Sequence, residues 1–348
     1  MNAPIRRHKV LIVDDTRSIR AMIRMLLSKA ADIEVVGEAG DPYEARNMIR
    51  KHNPDVLTLD VVMPGMDGLE FLETLMRLKP MPVVMVSSRT TDKSVEAVRA
   101  LSLGAVECVD LAAFRDLRRD GVDLPEVIRV AASTKMKLQQ KTVLVKRPEP
   151  TLPRRYEWDG RIVLIGSSTG GVEALLEILP KLPENGPPVV VAQHMPAAFL
   201  VSFAARLDRE CEMSAAVAQD GMLLRQGQIF VAPGGGFQTG LTRRGPPRLE
   251  IVKDVEKEIY SPSVNHLFTS AASRAKDVFA VILTGMGDDG AQAMLELRQC
   301  GADTLAQKGE TAIVDGMPKS ARDIGAARRI KALSEIGPAI IAATCKAA

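Results

Sequence analysis

Short apolar runs that end on a polar residue and lead into apolar positions at helical spacing recur along this chain, and that rhythm admits few folds. Val10–Val13 ends on Asp14–Asp15 and is followed by Ile19, Met22, Ile23, Leu26 and Leu27. Val56–Asp60 is followed by Leu69, Leu72 and Leu75, and Val83–Val86 by Val95, Val98 and Leu101. A strand that is apolar along its length is covered on both faces, as parallel strands between crossover helices are. Repeated strand–helix units therefore imply a parallel sheet with right-handed connections. Hydrophobic residues make up 46% of the chain but aromatics only 3%, so the core is aliphatic, as such sheets require.

Between about 120 and 158 the rhythm stops. Lys135, Lys137, Lys141, Lys146 and Arg147 precede Pro148, Pro150 and Pro153, which reads as a helical tail running into a solvated linker. From Arg161 the pattern resumes. Ile162–Ile165, Val189–Gln193, Ile229–Ala232 and Val278–Leu283 are expected strands, and Val172–Leu179, Ala198–Leu207 and Ala291–Cys300 are expected helices. Gly240–Thr242 and Leu249–Val252 read as a hairpin. The expected organisation is α/β, with two doubly wound parallel-sheet domains at 8–120 and 159–348 joined by a linker at 121–158. A length of 348 residues suits two cores better than one.

Several classes are disfavoured. The net charge of +3 lacks the marked basic excess of a nucleic-acid-binding domain. Cys108, Cys211, Cys300 and Cys345 form no C-x-x-C pair, so neither a zinc site nor a disulfide framework is expected. Residues Met1–Lys9 lack a signal-peptide apolar run, and no stretch of about 20 apolar residues exists. The expectation is a cytoplasmic protein with no membrane insertion.

Asp14, Asp15 and Asp60 each fall at the carboxyl end of an expected strand, the end that lines the crevice of an open parallel sheet. One such Asp could simply cap the next helix. Three of them repel one another unless a cation intervenes, and oxygen-only ligands favour Mg²⁺ over zinc. Lys9–Asp15, Asp60-Val-Val-Met-Pro-Gly-Met-Asp-Gly68 and Val83-Val-Met-Val-Ser87 resemble receiver domains of two-component response regulators. That resemblance implies a flavodoxin-like fold with Asp60 as phosphoacceptor. It also implies Mg²⁺ held by Asp14, Asp15, Asp60 and the Val62 carbonyl, with Ser87 as the hydroxyl that follows the phosphoryl group. The family usually carries a lysine after the fifth strand, where this chain has Leu111.

The second half carries a different chemistry. Gly166-Ser167-Ser168-Thr169-Gly170 has the G-x-S-x-G spacing of a nucleophile elbow between a strand and a helix. A phosphate-cradling loop competes with that reading, although the segment is neither G-x-G-x-x-G nor a Walker A. His194 ends the next expected strand, and Thr284-Gly-Met-Gly-Asp-Asp-Gly290 follows another, which makes Asp289 the candidate orienter of His194. Singly, Asp288 and Asp289 would be helix caps. Together a hydroxyl, an imidazole and a carboxylate meet at one edge of one sheet, in the chain order Ser, His, Asp.

These segments, with Gln193-His-Met-Pro196, Ile229-Phe-Val-Ala-Pro-Gly234, Pro262-Ser-Val264 and Gly316-Met-Pro318, resemble the chemotaxis response-regulator protein-glutamate methylesterases over nearly the whole chain. The resemblance implies a Rossmann-like hydrolase with Ser168 as nucleophile, His194 as base then acid, and Asp289 as orienter. Thr169 would position His194 or substrate, and the Met286 amide would help form the oxyanion hole. It further implies hydrolysis of glutamate methyl esters, with deamidation of glutamines as a second activity. Methylated chemoreceptor cytoplasmic domains are the implied substrate, a chemotaxis histidine kinase the phosphodonor, and no cofactor is needed at the hydrolase site. The chain departs from the family at Phe237, where a histidine is frequent, at Ser261, where a basic residue is frequent, and at Asp288, commonly Asn. A non-enzymatic signalling adaptor and a general small-ester hydrolase are the competing readings.

Overall fold

The structure, a computed structural model, describes residues 7–63, 67–87, 93–110, 123–134, 156–255 and 258–346. Two compact units, 1–146 and 147–348, divide the chain.

The first unit alternates β1 (His8–Val13), α1 (Arg17–Leu27), β2 (Ile33–Ala39), α2 (Pro42–His52), β3 (Val56–Asp60), α3 (Gly68–Leu78), β4 (Val83–Ser87), α4 (Lys93–Ser102), β5 (Glu107–Asp110) and α5 (Leu124–Ser133). The strands pair in the order β2-β1-β3-β4-β5, all parallel, which is the doubly wound flavodoxin-like topology expected above. Val10, Ile12, Val84 and Val86 from the strands pack with Ile23 and Leu27 of α1.

Helix α5 lies beyond the boundary expected at 120. Leu124, Val127, Ile128 and Ala131, at helical spacing, are buried in this same core. The first domain therefore keeps α5, and the expected linker loses that part. Arg129 ties the helix to the sheet side through Asp32, with Nε donating at 2.8 Å. Residues 135–155 of the expected linker lie outside the described residues.

The second unit contains β6 (Ile162–Ser167), α6 (Gly171–Ile178), β7 (Val189–Gln193), α7 (Ala197–Glu210), β8 (Ser214–Val217) and β9 (Gln228–Val231). The hairpin follows as β10 (Phe237–Leu241) and β11 (Leu249–Lys253), then α8 (Val264–Ser270), β12 (Val278–Ile282), α9 (Ala291–Gln299), β13 (Asp303–Gln307), α10 (Met317–Asp323), β14 (Arg329–Lys331) and α11 (Leu333–Thr344). Its seven-stranded sheet runs β14-β13-β12-β6-β7-β9-β8, again all parallel. The unit begins slightly before the expected 159, because Tyr156 is buried and its hydroxyl lies 2.9 Å from Thr344 Oγ1.

This strand order matters for the site. The chain enters at β6, builds β7, β9 and β8 on one side, then returns to place β12 against the other side of β6. Strand order reverses at β6, so a crevice opens between the carboxyl ends of β6 and β12, where open α/β sheets place ligands.

Candidate active site

Ser168 follows β6 directly and is 9% exposed. Its turn is tight by necessity. Gly170 has φ +76°, in the left-handed region, and the Gly171 amide donates to the Ser168 carbonyl at 2.7 Å. The turn is held from both neighbouring strands. The Ser168 amide donates to the Thr284 carbonyl at 3.0 Å, and Gln193 Nε2 donates to the Ser168 carbonyl at 3.0 Å. Gly285 packs so closely that a Cβ there would lie 2.7 Å from the Ser168 Cβ and 2.3 Å from Met317 Sδ. Only glycine lets the 284–287 loop approach the serine.

His194 follows β7. The register pairs Ser167 with Gln193 across β6 and β7, so Ser168 and His194 emerge side by side at the carboxyl edge. Nε2 of His194 lies 2.7 Å from Asp289 Oδ2. Nδ1 is buried and, among the described residues, has no hydrogen-bond partner. A ring whose Nε2 proton faces a carboxylate presents Nδ1 as its basic nitrogen.

Asp289, on the loop after β12, is buried and fully engaged. The Val264 amide donates to Oδ2 at 2.7 Å, the Asn265 amide to Oδ1 at 2.9 Å and the Ser263 hydroxyl to Oδ1 at 3.3 Å. Burial alone would raise its pKa. The hydrogen bond and charge of His194, then the Val264 and Asn265 amides, outweigh burial and hold the carboxyl below the ordinary range. Asp289 therefore stays ionised and fixes the His194 tautomer.

Four participants were not singled out in the sequence. Gln193 bridges the two loops, since its Nε2 also donates to the His194 carbonyl at 3.0 Å while its Oε1 accepts from Ser167 Oγ at 2.6 Å. Tyr260 stacks on His194, with ring centroids 4.1 Å apart and planes 9° from parallel. Gln238, buried on β10, donates to the Tyr260 carbonyl and accepts from the Ser263 amide, both at 2.8 Å. Ser263 itself caps α8 and touches Asp289. The polar character of Gln193 at the end of an apolar strand was the available signal. Nothing local marked Tyr260.

The remaining expected residues fall around this centre. Thr169 is buried, and its carbonyl accepts from Thr284 Oγ1 at 2.9 Å. Met286 is half-buried on the Gly285–Gly287 turn, and among the described residues its amide meets no acceptor. Ser261 accepts from the Gly236 amide at 2.9 Å and donates to the Phe237 carbonyl at 3.2 Å, so its hydroxyl serves the β10 loop. Phe237 is exposed. A cleft of about 420 Å³ opens beside Asp289, lined by Tyr260, Asn265, Asp288, Gln292, Ser320 and Ile324 among others.

In the first unit, Asp14, Asp15 and Asp60 each bring a carboxylate oxygen within 4.8 Å of the others. Burial, above all, raises Asp14 to about 7; the Thr16 amide opposes this, and the charges of Asp60 and Asp15 add to it. A buried carboxylate beside two others is the donor set a hard divalent cation fits. Gly68 packs against the end of β3, for a Cβ there would lie 2.1 Å from the Asp60 carbonyl. Ser87 ends β4, one residue past the partner of Asp60 in the register. Leu111 lies outside the described residues.

Comparison with known proteins agrees in both halves. Residues 163–340 match the family model described as CheB methylesterase, and residues 10–110 that described as response regulator receiver domain. A Caulobacter vibrioides protein named protein-glutamate methylesterase/protein-glutamine glutaminase 1 is 46% identical over 96% of this chain and 97% of its own. A Rhizobium johnstonii protein of the same name is 44% identical over 99% of this chain and 98% of its own. The crystal structure of the Thermotoga maritima CheB methylesterase catalytic domain is 38% identical, with a TM-score of 0.51, and covers 53% of this chain and 100% of that one.

Proposed function

The chain belongs to the family of receiver-bearing CheB methylesterases, and from that premise we propose that it hydrolyses glutamate methyl esters on chemoreceptors under control of its receiver domain. Hydrolysis of receptor glutamine amides is its second activity, since the same acyl chemistry reaches both. The observation that carries the reading is His194. One of its nitrogens is bound to an ionised carboxylate, and the other is a buried base with no partner among the described residues, at the strand edge it shares with Ser168.

The roles follow from that geometry. Ser168 Oγ attacks the ester carbonyl while Nδ1 of His194 takes its proton. Asp289 stabilises the imidazolium through Nε2–H. In serine proteases the acid meets Nδ1 and the serine meets Nε2. Here the ring is used the other way round, with the same division of labour. The Met286 amide and the glycine turn around it supply a donor for the oxyanion. The leaving methanol takes the proton back from Nδ1, and water attacks the acyl-enzyme by the same path reversed. The ordering of Thr169 against Thr284 keeps the nucleophile loop fixed to the oxyanion loop throughout.

In the receiver, Asp60 is the phosphoacceptor and a histidine kinase the donor. Asp14 and Asp15 with Asp60 would hold Mg²⁺, which when bound neutralises the charge around the acceptor carboxylate. Ser87 stands at the strand edge beside it.

The test is methanol release from a methylated receptor cytoplasmic fragment, with and without a small phosphodonor. Release that Ser168→Ala abolishes supports the reading. Tight receptor binding with no release favours an adaptor, and turnover of soluble esters alone favours a general esterase.

A further inference from the structure

A single hydrogen bond fixes a point on a ring, not its plane. His194 is tied to Asp289 through Nε2, and among the described residues Nδ1 has no partner to steady it. Left at that, the imidazole could pivot about the Nε2–Oδ2 line and sweep Nδ1 away from Ser168. What restrains it is Tyr260, whose ring lies 4.1 Å from the imidazole and only 9° from parallel.

Tyr260 is itself rigidly placed. Its carbonyl accepts from Gln238 Nε2 at 2.8 Å, and the same Gln238 side chain accepts from the Ser263 amide. Three residues on from Tyr260, Ser263 and the Val264 and Asn265 amides grip Asp289. One segment, 260–265, thus sets both the face of the base and the position of its orienting acid. The phenol also reaches across the site, since a Cβ on Gly287 would lie 3.3 Å from Tyr260 Oη. Tyr260 spans from the base to the turn that carries Met286.

We propose that Tyr260 is a positioning residue for His194. Its ring holds the imidazole in the plane that presents Nδ1 to Ser168, and its π face steadies the imidazolium formed as Ser168 attacks. The proposal rests on the esterase reading above. A cation over an aromatic face gains electrostatic stabilisation that the neutral ring does not, so the contact strengthens on the way to the transition state. Such an interaction raises kcat and leaves substrate binding nearly untouched.

The experiment compares Tyr260→Phe, Tyr260→Leu and Tyr260→Ala in the full chain, with methanol release from a methylated receptor fragment as the readout. Tyr260→Phe keeps the π face and is expected to retain at least about half of kcat. Tyr260→Leu fills similar space without a π face, and is expected to lose about ten-fold in kcat with KM changed by less than about two-fold. Tyr260→Ala is expected to lose at least as much; should it fail to fold, the Phe and Leu pair decides alone. Equal activity of the Leu and Phe variants overturns the proposal, as does a loss confined to KM. Failure of the Phe variant shows that the hydroxyl over Gly287 is what matters, and also overturns it. Inactivity of the parent chain on the methylated fragment would instead remove the esterase reading, so the two failures are distinguishable.

Discussion

Nε2 of His194 and Oδ2 of Asp289 stand 2.7 Å apart, while Nδ1 on the other side of the same ring is buried without a partner among the described residues. A serine hydroxyl that rotates toward Nδ1 would find an acceptor there as it becomes a nucleophile.

This arrangement ranks the triad substitutions. Ser168→Ala removes the attacking oxygen and is expected to lower kcat by about 10⁶. Asp289→Asn should cost less, about 10⁴. An amide NH₂ facing Nε2 makes that nitrogen the acceptor and moves the proton to Nδ1, where it blocks serine deprotonation. Single-turnover kinetics on a methylated receptor fragment check both numbers. Equal losses would show that Asp289 does more than set the tautomer.

Gln193 predicts a combined loss of stability and rate. Its amide is shared by the Ser168 and His194 carbonyls, and its Oε1 accepts from Ser167. Gln193→Leu leaves those buried groups without partners and is expected to cost about 3 kcal/mol. The Ser168 turn and the His194 strand end lose their common tie, so kcat should fall more than KM rises. Thermal unfolding alongside steady-state kinetics checks this, and an unchanged Tm would contradict it.

The receiver cluster predicts a pH dependence of stability. Asp14 titrates at about 7 in the folded chain against an ordinary 3.8. Because the folded value is the higher one, the folded state holds a proton that the unfolded chain releases first. That contribution is complete below about 4 and is lost as pH rises through about 7. Without divalent cation, the receiver transition should thus fall in temperature between pH 5 and 8. Mg²⁺ should raise it more at pH 8 than at pH 5, and Asp14→Asn should flatten the slope. Calorimetry at the two pH values decides, and an unflattened slope in Asp14→Asn places the titration elsewhere.

Much of this architecture was legible because the strands that matter are buried on both faces. β6 and β12 have no exposed residue, so their apolar runs stand out and the residues just past them are conspicuous. Edge strands carry no such mark. In β2, Glu34, Gly37 and Glu38 interrupt the apolar run, and β8 alternates exposed with half-buried positions. Helix α5 did show helical spacing, but the lysines and prolines that follow it drew it into the linker. The Tyr260 stack was out of reach for a different reason. It depends on Gln238, 22 residues upstream, fixing the chain at Tyr260, and no local pattern announces a clamp that long-range hydrogen bonds create.

Leu111 carries the last prediction. β5 ends at Asp110, opposite Ser87, and Leu111 is the next residue, where receiver domains usually have a lysine. Phosphotransfer to Asp60 needs the acidic cluster, whose three carboxylates are present. The response to phosphorylation is a separate matter. A lysine ammonium makes a charge-assisted bond to phosphoryl oxygens worth about 1.5–3 kcal/mol, and leucine makes none. A modification shifts an equilibrium only by the difference in its interactions with the two states. A small phosphodonor should therefore raise the esterase rate of this chain only modestly, and Leu111→Lys should increase the activation by about ten-fold or more. The rate of methanol release with and without phosphodonor, in parent and variant, measures both. Strong activation of the parent that Leu111→Lys leaves unchanged would mean that another cation of this receiver meets the phosphoryl group.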